Sequence, residues 1–197
     1  MNASAAASLP ASSAPSEAPL LDIRRETPED LAEVEYLLDT CFAPGRTALS
    51  SYRLRDDVEP LREFCLVARD EQRSLVSCIR YWPVRVGEAG SPALLLGPVA
   101  THPTRQGEGL GAMLILRSLR MAREAGWTRV ILVGDEPYYR KFGFTREVAL
   151  NISYPPPVNP ARLLAKELKP GAMAEISGMV RKWTPENPAE APPEAPA

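Results

Sequence analysis

Histidine is almost absent from this chain of 197 residues, His102 being the only one, and cysteine is scarce at three. Cys41, Cys65 and Cys78 are an odd number, and their spacings match neither a zinc site nor a Cys-x-x-Cys redox pair. No metal is therefore expected, and the thiols read as reduced and buried, as in a cytoplasmic protein. A cysteine nucleophile working with His102 is the alternative.

Long apolar runs are missing as well. No stretch reaches the roughly 18 residues that could cross a bilayer. The amino-terminal segment has neither the basic start and apolar core of a secretory signal nor the arginines of a mitochondrial transit peptide. Charge of one sign is also lacking: the net charge is −2. Four of the acids, Glu17, Glu186, Glu190 and Glu194, lie in end segments without lysine or arginine, which leaves about +2 for residues 21–183. So small an excess gives no basic footprint for phosphate backbones or anionic lipid, and neither nucleic acid nor a membrane is expected as a partner.

What is present is the makeup of one globular domain, 45% apolar and 24% charged. Eight of the 21 prolines fall in the two end segments. Residues 1–20, rich in Ala, Ser and Pro, and residues 184–197, rich in Pro, Glu and Ala, read as disordered tails that bury too little apolar area to offset chain entropy. Residues 21–183 are the expected domain.

Within it a first strand is predicted at Leu21 to Arg24. A helix follows with Thr27 as N-cap, Pro28 in the first turn and a buried face of Leu31, Val34, Leu37 and Leu38. It should stop near Cys41, before Pro44 and Gly45. Residues 46–62 read as loop with a short second helix. Phe64 to Ala68, Leu75 to Val86 and Ala93 to Ala100 are apolar runs split by polar turns, the pattern of an antiparallel meander. Leu110 to Ala125 is a helix with Ala112, Ile115, Leu116, Leu119 and Ala122 on one face, closed by Gly126. Arg129 to Val133 is a buried strand, parallel to the third meander strand through a right-handed crossover. A short helix is expected around Pro137 to Phe142. Val148 to Ser153 and Arg162 to Leu168 are candidates for a last strand pair, although the second also has helical periodicity. The fold class is α/β (α+β), with a mixed, mostly antiparallel sheet of about seven strands, one βαβ crossover and flanking helices.

The chemistry concentrates between the third meander strand and the long helix. There Gln106-Gly107-Glu108-Gly109-Leu110-Gly111-Ala112 places three glycines in five positions at a helix entrance. Backbone amides left uncovered at the positive end of a helix bind phosphate groups. Tight turning and close packing are the structural alternative. Gly107, Gly109 and Ala112 also satisfy the dinucleotide pattern G-x-G-x-x-A, but six residues, Pro103 among them, separate the strand from the first glycine, and the preceding sheet is a meander. A Walker loop is excluded because no Gly-Lys-Ser/Thr occurs.

Gln106 to Gly111 resembles the Q/R-x-x-G-x-G/A loop of the GCN5-related N-acetyltransferases (GNAT), and Val99 to Pro103 resembles the strand end before it. Tyr138-Tyr139-Arg140-Lys141-Phe142-Gly143-Phe144 is similar to that family's aromatic-Tyr-x-x-x-Gly-Phe segment. Gly134 to Tyr139 and Glu167 to Ala172 look like phrases of its YhbS-like branch. The resemblance covers about residues 21–180 and implies that Arg162 to Leu168 is a strand.

It further implies acetyl-CoA as co-substrate. The diphosphate would lie on the amides of Gln106, Gly107, Glu108, Gly109, Leu110, Gly111 and Ala112, the pantetheine along Leu96 to Ala100 with Val99 as principal contact, and Arg105 near a peripheral phosphate. The implied reaction is direct attack by a primary amine in a ternary complex, with Tyr139 assisting the departing thiolate. The acceptor is a small molecule or a protein amine, its pocket drawn from residues 41–60 and 150–160, and a homodimer is compatible with the family. The proton acceptor stays open among Asp135, Glu136, His102 and water, since the two central strands carry no acid. A non-catalytic acyl-CoA-binding module is the rival reading.

Overall fold

The computed structural model describes residues 21–42, 44–48 and 50–184; the segments read as tails lie outside the described residues, apart from Thr184. The strands are β1 (Asp22–Arg25), β2 (Leu66–Arg69), β3 (Leu75–Val86), β4 (Ser91–Thr101), β5 (Arg129–Val133), β6 (Ile152–Ser153), β7 (Leu163–Glu167) and β8 (Gly178–Lys182). The α-helices are α1 (Leu31–Phe42), α2 (Ser50–Arg53), α3 (Leu110–Glu124) and α4 (Glu136–Tyr139). The main sheet runs β1-β2-β3-β4-β5-β7, with β4 and β5 parallel and every other neighbour pair along that path antiparallel.

Period-two alternation sorts the core onto two faces of the sheet. Leu66, Ala68, Leu94, Leu96, Val130 and Leu132 pack with α3. Val67 and Ala100 face α1, while Ala93, Leu95 and Ile131 face the segment that carries β6 and β8. Covered on both sides, β3 is buried along all its 12 residues, which is why it reads as an apolar run interrupted only by Ser77, Arg80 and Arg85.

Two elements differ from expectation. Val148 and Ala149 lie in a short 3-10 turn, and β6 pairs in parallel with β8, not with β7. β7 pairs with β5, and only the bridge Thr145–Ala165 joins it to the preceding segment. β8, which also pairs with the last three residues of β3, raises the strands among the described residues to eight; its alternation is short and carries Arg181 and Lys182, so it gives a weak apolar signal. Leu31 and Leu116, expected on buried faces, are 52% and 57% exposed. The packed stripe of α3 instead passes through Leu114 and Ser118, whose buried hydroxyl donates to Leu114 O at 2.7 Å and lies 2.9 Å from the Tyr81 hydroxyl. A satisfied polar group at a core position is invisible to apolar periodicity.

The entrance to α1 is held by charge. Asp30, 1% exposed, accepts hydrogen bonds from both terminal nitrogens of Arg24 at 2.7 Å, from Arg69 at 2.7 Å and from the Thr27 amide at 2.8 Å. Burial alone would raise its pKa, but these donors outweigh that and hold the carboxyl well below its usual range. No helix among the described residues is long and apolar enough to cross a membrane.

Candidate active site

The site grows from an interruption in the sheet. β4 and β5 pair only at Leu94–Val130 and Leu95–Ile131. Immediately beyond, Gly97 and Pro98 together stand opposite the single residue Arg80 of β3, a bulge that turns β4 away from β5. Pro98 has no N–H to offer a neighbouring strand. The strands therefore part, and a cavity of about 320 Å³ opens between Leu95 to Val99 on one wall and Val133, Gly134, Asp135 and Tyr139 on the other.

At the end of β4 the chain makes a 3-10 turn at Pro103–Arg105 and then the glycine-rich turn into α3. Gly107 and Gly109 have φ of +89° and +81°, a region that side chains strongly disfavour, and apart from its chain neighbours no atom of the described residues lies within 4 Å of where a Cβ on either would stand. The first i→i−4 bond of α3 joins the Met113 amide to Gly109 O, so the amides of Leu110, Gly111 and Ala112 have no partner within the helix. A second cavity of about 370 Å³ lies over this turn, and Val99, Tyr138 and Tyr139 line both cavities. The two spaces thus share part of one wall.

The predicted binding residues gather here unequally. Val99, Gln106, Gly107, Gly109, Leu110, Gly111 and Ala112 all line the second cavity. Leu110 does so through its backbone, because its side chain is buried in the core. Arg105 reaches the cavity, but its Nε donates to Glu108 at 2.7 Å and its Nη1 lies 3.4 Å from Asp70, so the guanidinium is already committed. The Glu108 side chain is turned to that pair. Thr101 and Lys141 complete the wall, and neither was singled out from sequence. Lys141 sits one residue before the aromatic Phe142, with Nζ 4.1 Å above the Tyr138 ring, and brings a cation to the wall of the same cavity.

Tyr139 occupies the junction. Its ring packs edge-on against Tyr138 at 5.0 Å and Phe144 at 6.1 Å, and rests on Gly134, where a Cβ would overlap it. Burial, with smaller contributions from Tyr138 and Asp135, pushes its pKa up to about 12. The phenol is therefore a persistent hydrogen-bond donor. The Tyr138 hydroxyl lies over the first turn of α3, 3.6 Å from where a Gly111 Cβ would stand, so this residue faces the glycine turn.

The candidate proton acceptors separate. Asp135 is the one carboxylate among the described residues lining the interstrand cavity, and it pairs with Arg162 at 3.1 Å. Glu136 pairs with Arg140 at 2.7 Å and lines neither cavity. His102 places Nδ1 2.7 Å from the Thr104 hydroxyl and caps the turn that follows; the hollow it borders, with Glu33 and Tyr36, is a different one. The thiols of Cys65 and Cys78 are pushed up to about 12, first by burial, and stay protonated. Cys41 donates to Thr101 O at 3.3 Å. Among the described residues no group of three or more His, Cys, Asp or Glu side chains is arranged to hold a metal ion.

The far side of the interstrand cavity is built from the two regions named from the family pattern. Arg46, Tyr52 and Arg55 come from the first, Tyr154 from the second, and Arg162 joins them. Arg53, Asp57 and Glu59 line neither this cavity nor a third one of about 390 Å³, which shares Arg46, Tyr52, Arg55 and Pro98 with it and which Asp56 lines.

Residues 22–146 match a family model described as an acetyltransferase (GNAT) domain. The uncharacterized N-acetyltransferase YhbS of Escherichia coli (strain K12) is 29% identical over 122 residues, 62% of this chain and 72% of that protein. The crystal structure of Escherichia coli YhbS in complex with CoA superposes with a TM-score of 0.75 at 24% identity, covering 87% of this chain and 94% of the other. A GNAT family acetyltransferase from Brucella melitensis in complex with acetyl-CoA gives a TM-score of 0.62 at 27% identity, covering 85% and 99%.

Proposed function

The chain belongs to the GNAT acetyltransferase family, in its YhbS-like branch, and from that membership we propose that it transfers an acetyl group from acetyl-CoA to a primary amine by direct attack within a ternary complex. One observation carries this reading: the cavity over the glycine turn and the gap between β4 and β5 share Val99, Tyr138 and Tyr139. A substrate anchored by its diphosphate on the free amides of α3 can extend along β4 and present a thioester beside Tyr139. The residues suit such a substrate. The amides and Lys141 provide positive charge for the diphosphate, and β4 beyond Leu95 has unpaired main chain on the side facing the gap.

The chemistry needs few groups. The ammonium form first loses a proton; the free amine nitrogen then attacks the thioester carbonyl carbon, the C–S bond breaks, and a second proton leaves the nitrogen. One of the two protons ends on the departing sulfur, so from the ammonium ion the products are the amide, the free thiol and one released proton. An alkylamine of pKa about 10.4 is uncharged in only about one molecule in 2,500 at pH 7, so proton removal is part of the task. Asp135, which lines the interstrand cavity, is our candidate to accept that proton directly or through water. Tyr139 donates a hydrogen bond to the leaving sulfur. With its pKa near 12, complete proton transfer to a thiolate whose acid has a pKa near 8.5 would be uphill by about 5 kcal/mol, so its action is hydrogen-bond stabilisation.

Thiol release from acetyl-CoA with a panel of amines, amino acids, polyamines and peptides tests the reading. Acceptor-dependent release is expected. Tight CoA binding with no release from any acceptor would replace the enzyme by an acyl-CoA-binding module.

A further inference from the structure

Of the three guanidinium groups that line the interstrand cavity, two are neutralised: Arg46 pairs with Glu35 and Asp39, and Arg162 with Asp135. Arg55 differs. Its Cζ lies 4.6 Å from the ring centres of both Tyr52 and Trp82, its Nε and Nη1 are shut off from solvent without a hydrogen-bond partner, and no carboxylate pairs with it among the described residues. Burial lowers its pKa, yet an arginine keeps its proton at any physiological pH. Arg55 as a whole stays partly exposed, so solvent moderates the cost of holding a cation without a counter-charge, and cation–π contact offsets part of what remains. A second orphan lies in the same wall: the Tyr154 hydroxyl is also buried without a partner.

We propose that Arg55 and the Tyr154 hydroxyl form a carboxylate subsite, and that the acceptor is an amine which also carries a carboxylate, the chemistry of a free amino acid. The inference rests on the acetyl-transfer reading above and names its acceptor. The rings of Tyr52 and Trp82 occupy the neighbourhood of the guanidinium, whose N–H donors lie in its own plane; a planar oxyanion is the ligand that geometry suits. The position favours the acceptor over the acyl chain. Arg46, Tyr52, Arg55 and Pro98 also line a separate cavity of about 390 Å³ that contains neither a glycine-turn residue nor Tyr139. A molecule entering from that side meets Arg55 on its way to the gap. The Arg55 Nη2 lies 4.0 Å from where a Gly97 Cβ would stand, at the bulge where β4 leaves β5, so a carboxylate held there keeps its amine close to the parted strands.

The test compares free amino acids with their carboxamides as acceptors, using thiol release from acetyl-CoA and calorimetric titration into the CoA-saturated protein. The acids are expected to have KM values at least tenfold below their amides. Arg55→Met should raise the KM of the acids at least tenfold and Tyr154→Phe several-fold, with the acetyl-CoA Kd held within twofold. Equal KM for acid and amide on the unaltered protein overturns the inference, as does a preference that survives in Arg55→Met. Failure of every amino acid to bind the CoA-saturated protein overturns it too. A marked preference for succinyl-CoA over acetyl-CoA, lost in Arg55→Met without any preference among acceptors, moves the subsite to the acyl group and also overturns it. Failure to bind CoA in the same calorimeter would strike the acetyl-transfer reading itself.

Discussion

Gly134 and Tyr139 are in direct contact: the phenol ring lies where a side chain at 134 would begin, at the point where β5 has left β4. The ring's position is thus fixed from below by a missing Cβ and from the sides by Tyr138, Phe142 and Phe144. Gly134→Ala is expected to displace the ring, lowering kcat at least tenfold and stability by about 1–3 kcal/mol. Thiol release and urea unfolding measure the two effects; unchanged values for both would mean that the contact does not position Tyr139.

Tyr139→Phe removes only the donor. Turnover is expected to fall between about tenfold and a thousandfold, with the acetyl-CoA Kd unchanged. Because its pKa stands near 12, no loss of activity from this group is expected as pH rises from 7 to 10. Equal turnover in the variant would end the role.

Gly109→Val introduces a branched side chain at φ +81° and fills the open space over the turn. A loss of acetyl-CoA affinity of at least a hundredfold by calorimetry is expected, with the circular dichroism spectrum retained. Gly111→Val, whose Cβ would approach Thr101, Val99 and the Tyr138 hydroxyl, is expected to weaken binding in the same direction.

Lys141→Ala should weaken acetyl-CoA about fivefold, the order expected of one exposed charge near a diphosphate, without changing kcat at saturation. The loss should shrink at high salt.

Asp30 links stability to pH. Its folded pKa is depressed, so its contribution is complete above the unfolded value near 3.9 and fades as pH falls toward the lower folded value. Asp30→Asn is expected to cost on the order of 2–4 kcal/mol at pH 7 in chemical unfolding, and the difference from the parent protein should narrow below about pH 4.

Much of this was legible in the chain. Leu75 to Val86 and the glycine turn at Gln106 to Ala112 announced themselves because each has a local cause: a strand covered on both faces, and backbone conformations that only glycine takes readily. The acceptor side was not legible in the same way. Arg55 stands in a charged stretch that also holds Arg53, Asp56 and Asp57, and nothing local distinguishes the one whose guanidinium is enclosed by Tyr52 and Trp82. Trp82 is distant in sequence, so the distinction exists only after folding. The pairing of β6 with β8 escaped for a similar reason, since β6 has two residues and its partner lies beyond β7.

The parting of β4 from β5 also has a mechanical consequence. With only Leu94–Val130 and Leu95–Ile131 laddered between them, the portion carrying β5 and β7 is joined to the meander by a short main-chain seam. A molecule lying in the gap bridges both portions, so occupancy should slow amide exchange in β5 and β7 as well as at the residues it touches, tying the rigidity of the sheet to the presence of substrate.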